Sequence, residues 1–184
     1  MSRSDRPVSG HVDPAALAGQ SGAAARTIPN LLTVAGVDPS GGAGVLADIK
    51  TFSALGAYGC AVICALTAQN TRAVTGIEGV STDFIRLQID TLFDDVRIDS
   101  AKLGMLGTAA IARTVADALE PLLASGQLPA LVVDPVMVSK GGDVLLPADA
   151  IRMLTEAVLP LATVITPMCM ILTVLMLVAV RALA

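Results

Sequence analysis

The chain has 184 residues, 54% of them hydrophobic and 2% aromatic, with 12 basic against 16 acidic side chains and a formal net charge of -4. That length suits one domain, the apolar content excludes a disordered chain, and three Cys are too few for a disulfide scaffold. An acidic balance with one Tyr, three Phe and no Trp offers neither a basic field nor stacking platforms, so nucleic acid is not the expected partner.

Residues 1–29 carry mainly Ser, Arg, Asp, Pro, Gly and Ala without apolar periodicity, and read as a disordered N-terminal tail. Arg3 and Arg6 resemble a secretory n-region, but Asp5 and Asp13 interrupt and no apolar core follows. His11 stands alone there and is assigned no role. From Leu31 short apolar runs alternate with amphipathic stretches. LLTVA (31–35) reads as a strand, followed by a helix carrying Val45, Leu46, Ile49, Phe52 and Leu55, with Gly56 as its stop. CAVICAL (60–66) reads as a second, buried strand. Thr82 is placed as the N-cap of a helix with Ile85, Ile89, Leu92 and Val96 on one face.

SAKLGM (100–105) is a weaker strand. Thr108 opens a helix with Ile111, Val115, Leu119 and Leu122 inward, strained by Pro121 near its end. ALVVD (130–134) is a strand, Asp149 to Leu159 a helix and ATVIT (162–166) a strand. Strands separated by single helices predict an α/β fold, a mainly parallel sheet with helices on both faces. Such strands are apolar on both sides, which accounts for much of the mean hydropathy of +0.73. Cys60 and Cys64 share a strand, where four residues span roughly 13 Å, far beyond disulfide reach. They read as buried reduced thiols of a cytoplasmic protein.

The end of the chain differs. No residue from Ala157 to Val180 is charged, but Pro160 and Pro167 interrupt the run. Only 13 residues lie between Pro167 and Arg181, short of the ~20 that a spanning helix needs. An aberrant or buried apolar segment is expected over 168–184, ahead of a membrane anchor.

In open α/β sheets, ligands bind beyond the carboxyl ends of the strands. Those ends carry Ala35 to Gly44, Thr67 to Thr71, Lys102 to Gly107 and Asp134 to Met137, a convergence that favours a small-molecule site. The glycine loop lacks the Lys-Ser/Thr ending of a Walker A motif. Gly42-Ala43-Gly44-Val45-Leu46-Ala47 fits a dinucleotide fingerprint, but six residues separate it from the predicted strand and no acid ends the second strand. Its glycines either permit unusual dihedrals or let backbone amides approach a ligand, with Asp38 and Asp48 available as acceptors. Gln69 offers a donor and an acceptor that match a ring nitrogen beside an exocyclic amine, or else it is a solvated amide. Met105 is a ring-face contact or core filler. Asp134 is a ligand to Mg²⁺ or a loop cap.

AGVDPSGGAGVLADIKTFSALGAYG (35–59), ALTAQNT (65–71), DVRIDSAKLGML (95–106) and VVDPVMVSKGGDVLL (132–146) closely resemble the hydroxymethylpyrimidine/phosphomethylpyrimidine kinases of thiamine biosynthesis, members of the ribokinase-like superfamily. The resemblance runs from about Leu31 to Pro167, so residues 30–167 are expected to form a partial ribokinase-like domain. It implies ATP- and Mg²⁺-dependent phosphorylation of 4-amino-5-hydroxymethyl-2-methylpyrimidine and of its monophosphate. It places Gly36, Asp48, Gln69, Met105 and Val136 around the pyrimidine, Asp134 near phosphate and metal, and Lys140-Gly141-Gly142 in a flap over the phosphates.

The family continues after the fifth strand with an Asn-Leu-Pro-Glu-Ala-Glu type segment and, later, a Gly-Thr-Gly-Cys anion hole holding the probable base. Here Thr166-Pro167 leads into Met168-Cys169-Met170, and Gly-Thr-Gly-Cys does not occur. The resemblance therefore assigns no catalytic residue. It implies an impaired or inactive kinase whose C-terminal part is missing through truncation or a frameshift, with a non-catalytic pyrimidine-binding module as the alternative. Strand edges left unpartnered would promote association, so a homodimer is also expected.

Overall fold

The computed structural model describes residues 28–136 and 146–166. The expectations for residues 1–27, for the flap with Lys140, and for 168–184 lie outside them.

The chain forms β1 (Asn30–Val37), α1 (Gly44–Ala54), β2 (Tyr58–Gln69), β3 (Val74–Gly79), α2 (Thr82–Asp95), β4 (Ser100–Leu103), α3 (Ala109–Ala124), β5 (Leu131–Val133), α4 (Ala148–Met153) and β6 (Val164–Ile165). The six strands make one sheet in the order β3-β2-β1-β4-β5-β6. All neighbours are parallel except β2 and β3, which pair antiparallel.

That order fixes where the helices go. From β1 the chain steps outward to β2; after β3 it crosses back to β4 and proceeds to β5 and β6 in the opposite direction. Right-handed crossovers therefore put α1 on one face and the later helices on the other. Packing follows this division. α1 lies against β1 and β2, whereas α2, α3 and α4 pack in sequence on the far face. There Leu32, Val34, Val62, Cys64, Ile85, Ile89, Val115 and Leu119 form the main core. Val45 and Ala35 are buried outside that cluster, beneath α1. Among the described residues no helix covers the α1 face over β4 and β5.

Two helices start as their sequences dictate. Phe84 N–H donates to the Ser81 hydroxyl at 3.4 Å and Ile111 N–H to the Thr108 hydroxyl at 3.2 Å. The cap of α2 is thus Ser81, one residue before the predicted Thr82. Burial on α2 falls on Ile85, Ile89 and Phe93, with Leu92 and Val96 only partly covered. Pro121 is accommodated inside α3, which runs on to Ala124. The predicted helix to Leu159 divides: α4 is regular to Met153, then a π turn spans Leu154–Val158 and a 3₁₀ turn Leu159–Leu161.

β3 was not foreseen from the sequence. It is exposed on both faces and includes Gly76 and Gly79, so it carries no alternating apolar pattern. It forms as a hairpin return from β2, through a turn in which the Asn70 side-chain oxygen accepts from the N–H groups of Arg72 and Ala73. Beyond the end of β3, the edge of β2 is closed by a side chain. Ile63 N–H donates to Gln88 Oε1 at 3.0 Å, and Gln88 Nε2 donates to Ile63 O at 3.1 Å.

Candidate functional site

The seam between β1 and β4 is where the direction of strand addition reverses, and in such sheets that reversal opens a crevice at the carboxyl ends. Two close approaches define it. Gly36 N–H donates to Met105 O at 3.2 Å, and a Cβ at Gly36 would lie 3.2 Å from Met105 Cε. A Cβ at Gly104 would lie 3.1 Å from that of Ala35. The glycines keep the two strand ends flat against each other. Gly44, at φ +57°, opens α1 directly against the Gly36 carbonyl, and a Cβ there would collide with that oxygen. The observed β1 ends at Val37, two residues beyond the predicted strand, so the connection to α1 is only Asp38–Ala43.

A charged group lies on the α1 face of this seam. Lys102 pairs in register with Thr33 and Val132, so its side chain rises on the same face as α1. Its ammonium donates to Asp48 Oδ1 at 2.9 Å and Oδ2 at 3.0 Å, and stands 3.9 Å from Asp134 Oδ2. The Thr33 hydroxyl donates to Asp48 Oδ2 at 2.7 Å. One cation thus serves two carboxylates, and all three side chains are only 16–25% exposed. Burial raises the Asp134 pKa; Lys102 opposes that shift and the charge of Asp48 reinforces it.

Asp38 turns out to be committed to its own loop. It accepts from Ser40 N–H at 2.8 Å, the Ser40 hydroxyl at 2.9 Å and Gly42 N–H at 3.1 Å. Burial alone would raise its pKa, but the hydrogen bonds from Ser40, Gly42 and Ala43 outweigh it and hold the carboxyl below the usual value. Lys50 donates to the Gly41 carbonyl and secures the same loop.

Gln69 is the last residue of β2 rather than a loop residue. Its amide meets the Thr67 hydroxyl at 3.1 Å, which in turn lies 2.9 Å from the carbonyl of Val37, the neighbour of Gly36. Val136 N–H donates to Asp134 O at 2.8 Å, which turns the chain just beyond β5. The structure therefore joins Asp48 to Asp134 and Gly36 to Met105, and ties Gln69 to the Gly36 strand through Thr67.

Sequence reasoning gave no role to Lys102, Thr33 or Thr67. A lysine inside the otherwise apolar run around β4 was the available signal, because a buried ammonium requires carboxylate partners. Burial raises the pKa of Cys60 and pushes that of Cys64 up to about 12, so neither is a ready nucleophile. Among the described residues, no three His, Cys, Asp or Glu side chains gather to hold a metal ion. Asp134, with one distant charged partner among the described residues, would suit a Mg²⁺ site in which a single carboxylate contributes and phosphate oxygens and water supply the rest.

A family model described as phosphomethylpyrimidine kinase matches residues 38–183. The chain belongs to that family. It is 51% identical over 138 residues to the hydroxymethylpyrimidine/phosphomethylpyrimidine kinase of Escherichia coli, an alignment covering 75% of this chain and 50% of that protein. The crystal structure of phosphomethylpyrimidine kinase from Clostridium difficile 630 superposes with a TM-score of 0.70 at 43% identity, covering 76% of this chain and 58% of the other. A pyridoxal kinase from Staphylococcus aureus, solved with AMP-PCP and pyridoxal, superposes at 0.63 with 32% identity, covering 77% and 48% respectively. The expected ribokinase-like α/β architecture thus stands for this phosphomethylpyrimidine kinase relative. The chain spans about half the length of the curated relatives it matches. Among the described residues no helix is long and apolar enough to cross a membrane.

Proposed function

We propose that this chain carries the pyrimidine-recognition part of a cytoplasmic, ATP- and Mg²⁺-dependent hydroxymethylpyrimidine/phosphomethylpyrimidine kinase of thiamine biosynthesis. The observation that carries this reading is the seam: Gly36 against Met105, with Gln69 tied to the same strand and the Asp48–Lys102–Asp134 group beside it. Gly36 and Gly104 let the strand ends approach closely, and Met105, packed against Gly36, supplies an apolar wall for a flat ring. Gln69 reads the ring nitrogen and exocyclic amine, while Asp48, fixed by Thr33 and Lys102, and Val136 complete the pocket. Asp134 and Lys140 belong to the phosphate end, where a bound Mg²⁺ would neutralise charge on the phosphates. In-line phosphoryl transfer depends on positioning and on preorganised donors for developing charge. The Gly-Thr-Gly-Cys anion hole that the family uses for this is not in these 184 residues. Losing one such donor typically costs ~10²–10³ in rate.

The reading is tested by titrating the 184-residue chain calorimetrically with 4-amino-5-hydroxymethyl-2-methylpyrimidine, with and without ATP and Mg²⁺, beside a coupled ATP-consumption assay. The expected result is saturable pyrimidine binding with turnover at least ~10²-fold below that of a full-length relative. Absence of pyrimidine binding at millimolar concentration by folded protein overturns the recognition role. Turnover equal to that of the relative overturns the expectation that transfer needs that anion hole. Binding indifferent to ATP favours a non-catalytic pyrimidine-binding module.

A further inference from the structure

Two oxygen–oxygen contacts at the end of β2 share a single proton. The Thr67 Oγ1 lies 2.9 Å from Val37 O and 3.1 Å from Gln69 Oε1. Each is within hydrogen-bond distance, and the one hydroxyl proton cannot serve both acceptors fully. A carbonyl has none to give. The hydroxyl has one, and the shorter contact, to the backbone carbonyl, claims it. The contact to Gln69 is then a full hydrogen bond only when the amide is the donor. A side-chain amide presents either end at almost the same shape, so a half-turn sets Nε2 toward Thr67. In that arrangement the chain Gln69 N–H to Thr67 O–H to Val37 carbonyl leaves no contact without a proton.

We propose that Thr67 is a positioning residue that fixes the Gln69 amide with its nitrogen toward Thr67 and its oxygen toward the cleft. The free oxygen selects a ring offering an N–H donor at that place, such as an exocyclic amine. It discriminates against the same ring bearing a carbonyl there, because two acceptors would then face each other. An amide without this anchor turns to suit either ring. The specificity therefore resides one residue behind the group that touches the ligand. This inference rests on the pyrimidine reading, which makes Gln69 the ligand-facing amide.

The test measures the affinities of the 4-amino pyrimidine and its 4-oxo counterpart for the wild-type chain, Thr67→Val and Thr67→Ser. Valine keeps the shape and removes the hydroxyl; serine restores it. The amino-over-oxo preference is expected to fall about fivefold in Thr67→Val, the equivalent of one neutral hydrogen bond, and to return in Thr67→Ser. An unchanged preference in Thr67→Val overturns the inference, as does equal loss in Thr67→Ser. If the wild-type chain binds neither ring, the pyrimidine reading fails, and Thr67 is judged on the ligand-free protein. The ¹⁵N-labelled Gln69 side chain should then show one slowly exchanging amide proton in wild type and Thr67→Ser, and none in Thr67→Val. Two fast protons in the wild type overturn the relay itself.

Discussion

Asp134 directly follows β5, with its carboxylate one-quarter exposed and 3.9 Å from the Lys102 ammonium, which is already engaged by Asp48. Its raised pKa means the folded chain binds a proton there more tightly than the unfolded chain does. The stabilising contribution is complete below the unfolded value near 3.8 and is lost as pH rises through the folded value. Asp134→Asn removes that dependence. At pH 7 the variant should match or exceed wild type by less than about 1 kcal/mol, since Lys102 offsets part of the burial penalty. The difference should vanish toward pH 3.5. Urea melts at both pH values check this, and a variant less stable than wild type at pH 7 would show that the Lys102 attraction dominates. Residues of this kind were only half legible in the sequence. Asp48 and Asp134 could be named, but the lysine that joins them comes from β4, which comes to lie between β1 and β5 only after the sheet has formed.

The elements show why some of the fold was legible and some not. β1 is buried on both faces, β2, β4 and β5 bury one face fully, and all four announce themselves as apolar runs. β3 is held by hairpin pairing to β2 alone, so nothing in its side chains marks it. The π turn after Met153 likewise keeps helical spacing for long enough to hide the change in hydrogen bonding. Glycines separate two cases at this scale. Gly44 and Gly56 both have positive φ, yet a Cβ at Gly56 meets nothing within 4 Å, while one at Gly44 strikes the Gly36 carbonyl. Gly56→Ala is expected to cost about 1 kcal/mol, from backbone strain alone. Gly44→Ala adds a steric clash and is expected to cost about 3 kcal/mol or more. Equal losses in denaturant melts would mean that α1 shifts freely against β1, which would leave the seam without a fixed wall.

Across the whole molecule, stability should fall outward from β1. It is paired on both sides, by β2 over its full length and by β4. β6 contributes two residues and both are exposed; β3 is exposed throughout. Hydrogen exchange should therefore be slowest in β1, β4 and the Cys60–Cys64 part of β2, and fastest in β3 and β6. Protection of β3 equal to that of β1 would indicate a covering partner on that edge. The direction of strand addition, readable only from the assembled sheet, also decides which stretches of chain build the crevice. One wall comes from β1, α1 and β2; the other comes from β4 and β5, after the exposed Asn70–Ala73 turn and α2 have intervened. Neither wall needs a continuous chain to the other, because the Gly36–Met105 bond and the Lys102 ion pair join them through space. A polypeptide nicked in that turn keeps every group of the crevice, so the scaffold lends itself to reconstitution from two fragments, with ligand capture as the signal of their reunion.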